Sequence, residues 1–439
     1  MHRKADTYQA YTRDNVHTLP QYERLDAAMQ HAIHVVSAVF PFRTNRYVTD
    51  NLIDWARVPD DPIYQLTFPQ REMLEDRDFN TISRLIRRGA PRADLRAAAD
   101  RIRLAHNPHP AGQLEHNVPV LNGERLAGIQ HKYHETVLFF PSRGQTCHAY
   151  CSYCFRWPQF VGMEDLKFAA REVDGLVAYL RQHTEVTDVL FTGGDPAIMT
   201  TRALRQYIEP LLTPDLAHVQ TIRIGTKALA YWPQRFVTDH DADDLLRLFE
   251  QIAASGRHVA IMAHFSHPRE MQTAICEEAV RRLRAAGCEI RTQAPVMRHI
   301  NDSARTWAEM WQRGVRLGMI PYYMFVSRDT GPRRYFELPL AHALRIFRGA
   351  YAHVSGLART VRGPVMSATP GKVHVHGVAE IEGQRAFVLS FLQGRSPEWV
   401  GRPFFARFDP EASWFSDLQP LNSRQHFFER GERVRLTPV

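Results

Sequence analysis

Residues 136–156 read TVLFFPSRGQTCHAYCSYCFR. A β-branched and aromatic run, Thr136–Pro141, leads into the loop Ser142-Arg143-Gly144-Gln145-Thr146, and then Cys147, Cys151 and Cys154 crowd into eight residues. Runs of the same strand-like kind recur at Thr187–Thr192, Thr221–Thr226, His258–Phe265, Glu289–Val296 and Ile320–Val326. Amphipathic stretches lie between them: Leu166–His183, Thr201–Leu212, Asp241–Ala254, Glu270–Ala286 and Ser303–Leu317. Strand–helix units repeating every ~30–50 residues imply a parallel sheet with right-handed crossovers. Six such units suit an open or partial barrel better than a closed eightfold one.

The flanks differ from this repeat. Residues 1–130 read as helical and irregular, with helix-like spacing over Tyr22–Phe40 and Arg71–Arg88 and punctuation by Pro59, Pro62, Pro69, Pro108 and Pro110. From residue 363 the pattern turns to short strands, Val373–His376, Arg385–Phe391 and Phe404–Phe408, as in a small β-rich cap. The expected organisation is an α/β fold: a helical N-terminal region (1–130), a partial (β/α)6 barrel (131–362) and a β-rich C-terminal region (363–439).

Composition bounds the function. The chain has 439 residues, 44% hydrophobic and 23% charged, with 24 Phe, 15 Tyr and 7 Trp, which excludes global disorder. No apolar run reaches the ~20 residues of a membrane span, and the N-terminus has no signal-peptide apolar stretch, so a cytoplasmic protein is expected. The net charge of +8 comes from arginines interspersed with acids, not from a basic block, so no nucleic-acid partner is expected. Five cysteines make no disulfide framework, and Cys276 and Cys288 stand alone in a helical stretch as ordinary buried thiols.

The C-x3-C-x2-C spacing brings three thiolates to the C-terminal mouth of the first repeat strand, where barrel enzymes place their chemistry. Structural zinc and electron-transfer [4Fe–4S] sites take four protein ligands. Three cysteines on a [4Fe–4S] cluster leave one iron open to a small molecule. A zinc site completed by His148 or a distant histidine is the plainer alternative.

The cysteine spacing, with an aromatic beside the last cysteine, resembles the radical S-adenosylmethionine (SAM) superfamily, in which the open iron chelates SAM and the reduced cluster cleaves it to a 5′-deoxyadenosyl radical. Phe191-Thr192-Gly193-Gly194-Asp195-Pro196, after the second strand, is similar to the glycine-rich element that receives the methionine there. More of the chain resembles one family, lysine 2,3-aminomutase and its relatives. The resemblance rests on Asp61-Pro62-Ile63, His131-Lys132-Tyr133, Arg223-Ile224-Gly225, Pro233-Gln234-Arg235, His264-Phe265-Ser266-His267-Pro268, Gln293, Asn301-Asp302, Pro321-Tyr322-Tyr323 and Ser355-Gly356, between about residues 55 and 375.

That resemblance implies a second cofactor, pyridoxal 5′-phosphate (PLP), on a lysine that falls at Lys372 in Ala368-Thr369-Pro370-Gly371-Lys372, where the family's glycine run shrinks to Pro370-Gly371. Lysine alone supplies an amine that exchanges its imine with a substrate amine. The resemblance further implies cofactor-binding roles for Gly193, Gly194, Asp195, His264, Gln293 and Lys132, and a carboxylate-binding role for Arg156. Lys132 replaces a phosphate-binding arginine, and Thr136 stands where a second arginine is expected. The two aspartates that hold the substrate ammonium of lysine enzymes read Arg328 and Val365, or Ser367 with a short gap. Arg328 repels an ammonium unless adjacent Asp329 neutralises it, so an acidic or neutral amino acid fits better than free lysine. The expectation is a radical SAM, PLP-dependent 2,3-aminomutase, a homo-oligomer served by an electron donor such as flavodoxin or ferredoxin. Its rival is an enzyme on the same scaffold that has lost PLP and modifies another substrate.

Overall fold

A computed structural model describes residues 7–112 and 115–429. Its strands, in chain order, are β1 (Ala10–Thr12), β2 (Arg43–Asn45), β3 (Val120–Leu121), β4 (Glu124–Arg125), β5 (Ile129–Tyr133), β6 (Thr136–Phe139), β7 (Asp188–Phe191), β8 (Thr221–Thr226), β9 (His258–His264), β10 (Glu289–Val296), β11 (Ile320–Val326), β12 (Arg362–Ser367), β13 (Gly371–Ile381), β14 (Gln384–Gly394) and β15 (Pro403–Arg407). Eleven of them, β5 to β15, form one sheet in unbroken sequence order. From β6 to β12 every neighbour is parallel, and β5, β13, β14 and β15 are added antiparallel. The fold is mixed α/β around a large, mainly parallel sheet.

All six expected repeat strands are present, and a helix follows each: Asp174–Gln182, Thr201–Ile208, Ala242–Ala254, Ala274–Ala285, Ala304–Arg316 and Leu340–Ala352. Side chains alternate across a strand. In β8, Ile222 and Ile224 join the core under the helices, while Arg223 and Gly225 take the opposite face. That opposite face is the concave one, because the sheet curls: β5 lies beside β14, and Lys132 Nζ on β5 donates to the carbonyl of Ala368 beyond β12.

Three features depart from the sequence expectation. The stretch Leu166–His183 is helical only over Asp174–Gln182, because Ala170 is captured as an extended segment: its amide donates to Phe140 O (2.8 Å) and its carbonyl accepts from Ser142 N (2.8 Å). A seventh parallel strand, β12, spans the expected boundary at 362/363. The C-terminal strands continue the main sheet from that point, so they are not a separate cap; residues 430–439 of that region lie outside the described residues. No helix among the described residues is long and apolar enough to cross a membrane.

The N-terminal region has a definite place. The antiparallel β1–β2 pair and the chain before it lie against the cysteine loop: Tyr8 Oη donates to His148 O (2.6 Å), Tyr150 N to Arg43 O (2.8 Å), and Arg43 Nη1 to Thr146 Oγ1 (2.9 Å). Asn45, buried, ties His148 O (3.1 Å) to Tyr231 O (3.0 Å).

Candidate functional site: a cysteine loop and a cationic pocket

The three cysteines follow β6, in a loop that lacks regular structure of its own and takes its shape from neighbours. Ser152 N donates to Leu66 O (2.9 Å) and Ser152 Oγ to Gln65 O (2.8 Å). Burial raises all three thiols, Cys154 to about 12; Cys147 and Cys154 are raised further by neighbouring cysteines, while Lys227 and the Tyr231 hydroxyl act to lower Cys151. A dry site of this kind disfavours free thiolates and suits sulfurs whose charge a metal cluster takes up. Among the described residues no three His, Cys, Asp or Glu side chains converge on a single-ion site. The ring of His148 turns away from the thiols to stack on Trp232 at 6.4 Å. Cys276 and Cys288 are buried in the core.

The Gly-Gly-Asp turn after β7 packs directly on this loop. Gly193 has φ +134°, and a Cβ on Gly194 would lie 2.5 Å from both the amide nitrogen and the carbonyl oxygen of Thr146. Only glycine permits that approach, and it is the cysteine loop's own backbone that is approached. Asp195 N donates to Thr146 O (2.8 Å) and Gly144 O (3.0 Å). The Asp195 carboxylate is buried and occupied: Oδ1 accepts from Ala197 N (2.9 Å) and Oδ2 from Lys227 N (2.8 Å). Its side chain thus ties the turn to the end of β8. Other matched motifs act as struts too. Asp61 caps the helix Pro62–Thr67 and pairs with Arg269, and Arg235 holds Ala197 O (2.8 Å) and Met199 O (3.0 Å).

His264 ends β9 and Gln293 pairs with it in register on β10. Burial, then Lys227, lowers His264 to about 3, so its ring is neutral; Nδ1 lies 3.2 Å from Tyr153 Oη.

Lys372 sits on β13, opposite Ser367 of β12 and Gln393 of β14, and not on a surface turn. Its ammonium lies 4.8 Å from the Tyr133 ring centre and 5.0 Å from that of Tyr323, and donates to Gln393 Oε1. Burial, with Arg223 nearby, lowers its pKa from 10.5 to about 7, so at neutral pH a large share of the amine is free. The glycine that remains beside Lys372 has a local reason: a Cβ on Gly371 would come within 2.3 Å of Gln393 O.

Around this lysine the charge is unbalanced. Arg156 is 7% exposed and Arg328 is half-buried; their guanidiniums lie 5.0 and 4.2 Å from the ring centre of Phe155. Burial, reinforced by Arg328, lowers Arg156 to about 9. Neither arginine has a carboxylate partner among the described residues; Arg328 Nη2 donates only to Ser367 Oγ, at 2.9 Å. Ser367, not Val365, therefore faces Arg328. Asp329 turns instead to Asn107 Nδ2 (3.3 Å). Lys132 adds a third cation, pushed well below its usual range by burial and by Arg328. Thr136 faces a different group, donating to Asp188 Oδ2 (3.0 Å), which also pairs with Arg223.

Sequence reading missed Lys227, Glu270, Tyr231 and Arg395. Arg395 reaches Thr369 O (3.3 Å) and Asn117 Oδ1 (3.1 Å) beside the Pro370-Gly371 turn. No short motif marks these residues.

No protein-family model matches the chain. It is 30% identical over 410 residues to a protein of Aquifex aeolicus (strain VF5) named "Putative L-lysine 2,3-aminomutase", covering 92% of this chain and 93% of that one. The chain belongs to the radical SAM lysine 2,3-aminomutase family. Over 233 residues it is 31% identical to the L-lysine 2,3-aminomutase of Bacillus subtilis (strain 168), and over 214 residues 28% identical to the glutamate 2,3-aminomutase of Clostridioides difficile (strain 630). These two matches cover 53% and 48% of this chain and 46% and 47% of those enzymes. A radical SAM methyltransferase structure from Sphaerobacter thermophilus aligns with TM-score 0.37 at 13% identity, covering 66% of this chain and 94% of that one. The family is one of isomerases that work with a [4Fe–4S] cluster, SAM and PLP, and the donor sets above fit them. Three thiols raised by burial on one loop suit the cluster, the Gly193-Gly194 turn beside them suits SAM, and the half-buried lysine amid cations suits PLP.

Proposed function

We propose that the chain is a radical SAM, PLP-dependent 2,3-aminomutase that moves an amino group from Cα to Cβ of an acidic or neutral amino acid and does not use free lysine. The observation that carries this reading is the pairing of a free lysine amine with buried cations that lack carboxylate partners. A buried unpaired guanidinium is costly unless an anion meets it. An amino-acid carboxylate and a cofactor phosphate are such anions, and a second ammonium is not.

When bound, SAM on the cluster supplies a radical that takes hydrogen from the substrate β-carbon, and PLP supplies the carbonyl through which the nitrogen moves. The chain's own part is binding and exclusion. Cys147, Cys151 and Cys154 hold the cluster, leaving one corner for SAM, and Gly193, Gly194, Asp195, His264 and Gln293 shape the SAM side. Lys372 would hold PLP through its amine, between the rings of Tyr133 and Tyr323. Lys132 takes the phosphate. Arg156 holds the α-carboxylate in a fork that fixes its rotation. Arg328, with Ser367, faces the substrate side chain. Enclosure of these groups keeps water from the reacting carbon. The six strand–helix units serve as a radical SAM partial barrel, and an external one-electron donor such as flavodoxin or ferredoxin reduces the cluster.

The commitment of Thr136 to Asp188 favours the PLP-free rival, since it leaves Lys132 without the second phosphate cation expected there. One experiment separates them. Reconstituted enzyme with SAM, PLP and reductant is screened against glutamate, aspartate, neutral amino acids and lysine for β-amino isomers. An isomer from an acidic or neutral substrate is expected; 5′-deoxyadenosine without any isomer supports the rival.

A further inference from the structure

Beside the cysteine loop lies a buried ion pair that the proposed chemistry does not use. Lys227, at the end of β8, meets Glu270 with Nζ 2.8 Å from Oε1, as an ion contact off the hydrogen-bond axis. Glu270 is fully buried, and its second oxygen accepts from the amides of Ser266 and His267. The ammonium is further held by His264 O (3.2 Å) and Ser266 Oγ (3.3 Å), and it lies 4.6 Å from the ring centre of Tyr231. Tyr231 is 1% exposed, and its hydroxyl is 3.4 Å from Cys151 Sγ. A buried ion pair is a weak source of stability. Here it fixes a positive group against the ring whose hydroxyl reaches the sulfur.

We propose that Tyr231, held in place by the Lys227–Glu270 pair, is a positioning residue that donates a hydrogen bond to the Cys151 sulfur and thereby raises the reduction potential of the cluster. The proposal rests on the reading that the three cysteines hold a [4Fe–4S] cluster. Adding an electron to a buried, thiolate-ligated cluster increases its negative charge. A donor aimed at one sulfur and a cation behind it stabilise the reduced form more than the oxidised one. Tyrosine is suited to this place because its ring fills the apolar space and its hydroxyl is the only donor it brings.

The test is a redox titration of the anaerobically reconstituted full chain, followed by the electron paramagnetic resonance signal of the reduced cluster. Tyr231→Phe should keep four irons and lower the midpoint, by 59 mV if the lost bond changes the reduction equilibrium tenfold. Lys227→Gln should lower it in the same direction, and Lys227→Arg should restore most of the shift. An unchanged midpoint in an iron-loaded Tyr231→Phe protein overturns the proposal. So does iron loss in Tyr231→Phe with circular dichroism and thermal unfolding intact, which assigns the residue to cluster assembly. If Tyr231→Phe does not fold, Lys227→Gln decides, and an unchanged midpoint there overturns the proposal as well. Wild-type chain that binds no iron refutes the underlying cluster reading instead.

Discussion

The two halves of the site are built on opposite principles. On the cysteine side the buried carboxylates are answered from within the chain: Asp195 by two amides, Glu270 by Lys227 and two more amides, Asp61 by Arg269 and the helix it caps. On the lysine side Arg156 is buried and Lys132, Arg328 and Lys372 are half-buried, none in an ion pair with a carboxylate among the described residues. The contrast teaches what each side is for. Carboxylates braced by amides and cations hold a loop in one geometry, as a permanently bound cluster requires. An unsaturated cationic pocket is stable when its ligands bring the negative charge with them.

The comparison can be broken most sharply at the cysteines. Cys151→Ala should abolish iron uptake and 5′-deoxyadenosine formation altogether, measured by iron assay and chromatography, while thermal unfolding stays close to that of the iron-free parent. Lys372→Ala is expected to remove β-isomer formation to background yet leave four irons in place, which separates the two sides in a single variant. Asp195→Ala leaves two buried amides unanswered and should cost about 2–4 kcal/mol of stability in thermal or denaturant unfolding. Arg328→Gln has the smallest expected effect: on the order of 10- to 150-fold lower kcat/KM for an acidic substrate, with little change for a neutral one. Equal losses for both substrates would show that Arg328 does not face the side chain.

The same contrast explains what could be read in advance. The parallel strands were legible because alternation such as Thr221-Ile222-Arg223-Ile224 carries its own signal of two faces. Strand β12 was hidden, since Arg362-Gly363-Pro364 reads as a turn and its neighbours β11 and β13 make it a strand. The three cysteines and the Gly-Gly-Asp turn were visible as short motifs. Their supports were not: Lys227 and Glu270 are 43 positions apart, and the link from Tyr8 to His148 crosses 140. Lys372 was found by register alone. Its depressed pKa comes from burial and from Arg223 on a distant strand, neither of which local sequence encodes. The adjacency of Arg328 and Asp329 suggested a neutral pair; the two make no ion pair within hydrogen-bond reach, Asp329 accepting from Asn107 and Arg328 donating to Ser367, although each still acts on the other's charge.

Borohydride trapping tests the central claim, that the unpaired lysine side is a PLP site. PLP is added to the purified full chain across a pH series, the mixture is reduced, and peptides are analysed by mass spectrometry. One pyridoxyl group on Lys372 is predicted, with a yield that rises as pH passes through about 7, because the folded-state pKa is lowered and the reactive form is the deprotonated amine. Labelling only near pH 10, labelling spread over other lysines, or no labelling at Lys372 would contradict the account.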